Sequence, residues 1–104
     1  MLAKIASAKP PMANRWRRRS LCVLATAERP WPAALRTVSG SGAVLETNAR
    51  PPLGTEVVLH HPQAGGIRAK VDSLSDEGIR LRFDIGEQSI GFALAAITAD
   101  MTRD

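Results

Sequence analysis

The sequence predicts a mostly β fold: a small six-stranded antiparallel barrel with one C-terminal α-helix covering an opening. Three observations predict it. From Leu21 to Phe83 the apolar residues fall in short runs, several of them alternating with polar ones, the period of a half-buried strand. The runs are separated by short connections rich in Gly, Pro, Asn and Ser, residues that favour turns. After Asp84 the period lengthens, and Ile90, Leu94, Ile97 and Met101 stand at i, i+4, i+7 and i+11, one face of a helix.

Taken in order, residues 1–14 read as a flexible leader. Ala3, Ala6, Ala8 and Ala13 offer little to bury, and Pro10-Pro11 breaks any helix begun before it. Residues 15–104 read as one domain. Leu21–Ala25 is a short apolar first strand. Glu28–Pro32 is a loop by its prolines, with Trp31 as a packing anchor beneath it. Ala34–Val38 and Ala43–Thr47 flank Ser39-Gly40-Ser41-Gly42, a connection whose glycines permit positive φ. Asn48–Gly54 is a long turn, and Thr55–His60 is extended with Val57 and Leu59 on one face. After the hairpin loop Gln63–Gly66, Ile67, Ala69, Val71 and Ser73 alternate with Arg68, Lys70 and Asp72. Ser75–Gly78 turns the chain, and Ile79, Leu81 and Phe83 alternate with Arg80 and Arg82. Gly91 weakens the terminal helix, so the helix depends on docking against the sheet through its apolar face.

Composition narrows the function. The chain has 104 residues, 44% hydrophobic and 23% charged, ordinary proportions for a single globular domain. Cys22 is the only cysteine, which rules out an internal disulfide and fits a reducing compartment. Lys4 and Lys9 interrupt the N-terminus too early for a signal sequence, and no run nears the ~20 apolar residues of a membrane span. A soluble cytoplasmic protein without membrane insertion is expected.

The charge is uneven. Residues 1–20 carry Lys4, Lys9, Arg15, Arg17, Arg18 and Arg19 and no acid, a charge of +6. The rest holds 8 basic and 10 acidic side chains, a charge of −2, so the net +4 belongs to the arm. Such a block is either a solvated basic tail or the mark of an anionic partner. The planar guanidinium fork fits phosphate oxygens and the O6/N7 edge of guanine. Arg80 and Arg82 share a strand face and extend the basic surface unless Glu77 and Asp84 neutralise them.

Other chemistries find little support. There is no nucleophile–base set, no motif of paired carboxylates and no metal-ligand spacing, which argues against an enzyme, a metal site or a cofactor. His60 and His61 are adjacent, face opposite ways in a strand, and read as surface residues. Cys22 in its apolar run reads as buried and inert. The mildly acidic body, and two tryptophans (Trp16 and Trp31) that form no stacking platform, argue against nucleic acid as the partner.

The order of parts resembles the PilZ domain. An Arg-x-x-x-Arg pair, Arg15 and Arg19, precedes the first strand. A Ser-x-x-Gly turn, Ser39 to Gly42, joins the next two, and a strand from Gly78 to Phe83 leads to the closing helix. The resemblance runs over roughly residues 15–100. In that family a six-stranded barrel binds the bacterial second messenger cyclic di-GMP through Arg-x-x-x-Arg and Asp/Asn-x-Ser-x-x-Gly; here Thr37 stands in place of the Asp or Asn. The resemblance implies a PilZ-like barrel acting as a cyclic di-GMP-binding signalling receptor that changes how it docks on a protein partner. The implied ligand-binding residues are Arg15, Arg18, Arg19, Thr37, Ser39 and Gly42. In that reading the arginines clamp phosphates and guanines, and Ser39 donates its hydroxyl. Gly42 admits close approach, and Thr37 replaces part of the missing carboxylate or amide. The alternative is a degenerate PilZ-like adaptor that binds protein through the same surface without the nucleotide.

Overall fold

Strands with one apolar face and bare edges are stable only when both are covered, and here the sheet covers both by closing on itself. The computed structural model describes residues 20–101, so the leader 1–14 and the arginines Arg15, Arg18 and Arg19 lie outside the described residues. The strands are β1 (Leu21–Ala25), β2 (Pro30–Ser39), β3 (Gly42–Glu46), β4 (Glu56–His61), β5 (Gly65–Ser75) and β6 (Gly78–Arg82). The helix α1 spans Glu87–Met101. Every strand pairing is antiparallel, and the ring runs β1-β2-β3-β6-β5-β4 and back to β1. The predicted architecture, six antiparallel strands in a barrel with one C-terminal helix, is the one observed.

The alternating positions fill the barrel. Cys22, Leu24, Leu35, Leu45, Leu59, Ile79 and Leu81 are buried, joined by the smaller Ala33, Ala43 and Ala69. Three details depart from the sequence reading. The strand β2 begins at Pro30, so the supposed proline loop is extended chain paired to β1. Leu35 N–H donates to the Ser20 carbonyl, so odd-numbered residues of β2 aim their donors at β1. Pro30 and Pro32 therefore face the side where β3 pairs only from Ala34 onward, and their missing N–H groups cost no ladder bond. Bulges between Leu35 and Thr37 and between Val71 and Ser73 each insert one residue. The second turns Ser73 outward, against the predicted alternation.

The helix docks through the other face from the one expected. Ser89, Phe92, Ala93 and Ala96 are buried, whereas Ile90, Leu94, Ile97 and Met101 are 49%, 62%, 40% and 77% exposed. Small Ala93 and Ala96 let the helix backbone come close, and Phe92 fills the opening edge-on to Phe83 at 5.7 Å between centroids. Contacts reach β2 and β5, strands on opposite sides of the ring, so α1 lies across the barrel's mouth. Its start is capped by Ser89, whose Oγ accepts the Gly86 N–H at 3.0 Å, and Glu87 complements the helix N-terminus.

A polar knot ties this end together. The Ser20 hydroxyl donates to the Asp100 carboxylate, which lies 4.0 Å from His61 Nε2. Nδ1 of His61 accepts the N–H groups of Gln63 and Ala64, both at 3.0 Å, which leaves the proton on Nε2 in the neutral ring. His61 is therefore not a surface residue. It shares parity with Val57 and Leu59 and turns inward beside Phe92. Cys22 is buried as expected, and its thiol is pushed up to about 12 by burial, with the Asp100 charge adding to the shift.

Candidate functional site

The hairpin β2–β3 carries the described part of the sequence-predicted site. Ser39 pairs with Gly42 across the two-residue loop Gly40-Ser41. The bulge at Arg36 resets the alternation after Leu35, so Thr37 and Ser39 face out while Val38 packs against the core. Without that extra residue Thr37 would point into the barrel. Ser39 Oγ accepts the Ser41 N–H at 3.2 Å and lies 3.0 Å from Ser41 Oγ, so this hydroxyl already takes part in the turn.

The turn glycines serve a different purpose from the one predicted. Positive φ occurs at Gly54, Gly65 and Gly78, not at Gly40 or Gly42. A Cβ on Gly42 would run into the Leu81 carbonyl oxygen of β6, and one on Gly40 would sit 3.2 Å from Ile90 Cγ1 of α1. The close approach at Gly42 is thus made by the protein's own backbone.

Two cross-strand rows meet on the outer wall. Thr37 is opposite Val44, which is opposite Arg80; Ser39 is opposite Gly42, which is opposite Arg82. With neighbouring strands about 4.8 Å apart, each row brings a hydroxyl and a guanidinium stem within roughly 10 Å. Between Ser39 and Arg82 the only intervening residue has no side chain. The result is a concavity of about 340 Å³ whose polar lining is Thr37, Ser39, Ser41, Asp72, Arg80 and Arg82 around Gly42. Arg82 Nη1 is 3.9 Å from Asp72 Oδ1, and Arg36 is held by Glu46 at 3.4 Å and Glu77 at 3.3 Å. Arg80 forms no ion pair among the described residues, so its charge is available to an anion at this wall.

Of the six predicted site residues, Thr37, Ser39 and Gly42 come together here, and Arg15, Arg18 and Arg19 fall outside the described residues. Ser20, which follows Arg19 in the sequence, is pinned to Asp100 at the same end of the barrel as the hairpin tip. Alternation showed that Arg80 and Arg82 share a face. That this face adjoins Ser39 needed the ring order, which sets β6 beside β3.

At the opposite end a concavity of about 310 Å³ is walled by Trp31, Pro51 and Pro52. Its main cation, Arg50, is spent on the Thr47 and Ala49 carbonyls, and the Arg29 guanidinium lies 3.9 Å from the Trp31 ring centroid. Among the described residues no cluster of three or more His, Cys, Asp or Glu could hold a metal ion, and no helix is long and apolar enough to cross a membrane. No family model matches the chain, and no curated protein matches it.

Proposed function

We propose that this chain is a PilZ-type receptor for cyclic di-GMP, acting in the cytoplasm and passing the signal on by altered docking to a protein partner. The observation that carries the reading is the pair of cross-strand rows, which set Thr37 and Ser39 against Arg80 and Arg82 around a floor made by Gly42. Hydroxyls and guanidiniums on one wall are suited to phosphate oxygens and to the acceptor edge of guanine. At about 340 Å³ the wall's concavity is at the small end for a ligand pocket, so it holds part of a dinucleotide and leaves the rest to the arginines before β1. The order of the sequence motifs, Arg15 and Arg19 ahead of Ser39 and Gly42, supports the same ligand.

The test is calorimetric titration of the full chain with cyclic di-GMP, GTP and a short DNA duplex. Binding of cyclic di-GMP in preference to the other two is expected. Arg19→Ala and Arg80→Ala should each weaken it by about 1.5–3 kcal/mol, the worth of a charged hydrogen bond. Two observations favour the adaptor as second reading: Thr37 lacks the carboxylate or amide of the motif, and Ser39 Oγ is engaged within its own turn. Absence of cyclic di-GMP binding by a folded protein would decide for the adaptor, and preference for the duplex would overturn both.

A further inference from the structure

The helix α1 leaves an apolar stripe in solvent that the fold does not use. Four of the nine large hydrophobic residues exposed among the described residues lie on it: Ile90, Leu94, Ile97 and Met101. Their spacing of four, three and four residues is the a/d spacing of a coiled-coil seam, held over two heptads. Phe92 and Ala96, which face the barrel, occupy the opposite side of the same heptads, so docking leaves the seam bare. The rest of the exposed surface from Gln88 to Met101 is Gln88, Gly91, Ala95 and Thr98, small or neutral residues without a charge. A solvated helix face ordinarily carries charge. The exposed acid in line with the stripe is Glu87, one turn before Ile90 at the helix start.

We infer that α1 is a homodimerisation helix, and that two chains pair through it antiparallel about a two-fold axis passing between Ala95 and Ala96. In this register Ile90 meets the partner's Met101 and Leu94 meets the partner's Ile97, and the symmetry repeats both contacts. Each of the four apolar positions then finds an apolar partner. A parallel pair would align the two helix dipoles, whereas the antiparallel pair opposes them. At their observed exposures the four side chains present roughly 450 Å² per chain, a large apolar patch for a monomer. Two copies bury on the order of 900 Å² from the seam alone, and the flanking residues bring the total toward the ~1,200 Å² at which specific interfaces begin. The small Gly91, Ala95 and Thr98 allow the helices to approach. The inference is argued without the nucleotide reading, although the seam adjoins that surface: Ile97 and Met101 share a concavity with Thr37, and Ile90 lies against Gly40.

Sedimentation velocity of the full chain across about 1–200 µM tests it. Wild type should sediment as a dimer in the upper part of that range. Leu94→Glu and Ile97→Lys should each weaken association at least tenfold, with thermal melts showing that both fold. Mixing the two variants should restore the dimer, because the register sets the introduced carboxylate of one chain against the introduced ammonium of the other and leaves one Leu–Ile contact intact. A wild type that stays monomeric overturns the proposal. Dimers that survive both substitutions overturn it as well, as does a mixture that fails to reassociate. If either variant does not fold, Leu94→Gln and Ile97→Gln replace the pair. Undiminished association in both would then refute the seam.

Discussion

Gly42→Ala tests what the glycine of the β2–β3 hairpin does for the fold. The new methyl would lie inside contact distance of the Leu81 carbonyl oxygen, 3.2 Å from the Leu81 carbonyl carbon and 3.4 Å from Arg82 Cα. All three are backbone atoms of β6, so no rotamer change relieves the clash. Gly42 begins β3, and the strands must part at the Gly42–Arg82 end of their register. Overpacking costs about 1–3 kcal/mol, and one or two ladder bonds lost at the strand end cost about 1 kcal/mol each. The stiffer unfolded chain adds back about 0.4–1 kcal/mol in favour of unfolding less. The net expectation is a loss of about 1–4.5 kcal/mol, a large share of a small domain's stability. Urea denaturation followed by circular dichroism reads it as a midpoint lowered by roughly 2 M with an unchanged slope. Gly40→Ala is the control, because its methyl meets the side-chain atom Ile90 Cγ1 at 3.2 Å, and Ile90 is 49% exposed and free to shift. That change should cost under about 1 kcal/mol. A loss below about 0.5 kcal/mol for Gly42→Ala would refute the reasoning. If the loss is as large as expected, failure of that variant to bind nucleotide says nothing about contact with a ligand.

Thr37→Asp adds the carboxylate that the PilZ motif has, on the row that ends at Arg80. Paired titrations and melts should show cyclic di-GMP binding tightened by roughly tenfold, and no binding in either protein with a lower Tm in the variant would favour the adaptor. Gly91→Ala should stabilise the fold by about 1 kcal/mol in a dilute thermal melt, since nothing lies within 4 Å of the added methyl and the helix gains propensity. Cys22 should resist alkylation at pH 8 in the folded protein and react fully in urea, because the native thiol is pushed up to about 12. The native state then keeps that proton while the unfolded thiol loses it above its ordinary value of 9.0, so stability should fall as pH rises from about 9 toward 12. Cys22→Ala should lack that component of the decline.

Much of the barrel was legible because inward positions in strands repeat every second residue. Val57 and Leu59 on β4, Ile67 through Val71 on β5, and Ile79 and Leu81 on β6 all face the core as their spacing requires. Carried one step further, the same parity would have placed His61 inside, since it follows Leu59 by two. Bulges were not legible. Nothing in Leu35-Arg36-Thr37 announces an inserted residue, yet the bulge decides that Thr37 faces outward with Ser39. The helix misled for a different reason. It has two apolar faces, and periodicity picked the one with larger side chains. The barrel's mouth instead took the face whose alanines permit close approach around a single Phe92. Arg80 and Arg82 joined the candidate site only through the adjacency of β3 and β6, a non-consecutive pairing that local pattern does not encode.

The hairpin that carries Ser39 and Gly42 lies between β6 and the start of α1. At Gly42 the backbone of β6 occupies the space of a Cβ, whereas at Gly40 the nearest atom is Ile90 Cγ1 of α1, a half-exposed side chain that can shift. Ser39 adds an internal clasp by accepting the Ser41 N–H. A loop fixed in this way has little conformational freedom left to lose, so a ligand reaching this wall would not have to order it. Affinity changes caused by substitutions at Thr37 and Arg80 therefore report contact chemistry directly. Substitution at Gly42 acts through the fold. The second motif thus contains two kinds of residue, hydroxyls turned toward solvent by the bulge and a glycine required by the backbone of β6, and only the first kind can discriminate a receptor from an adaptor.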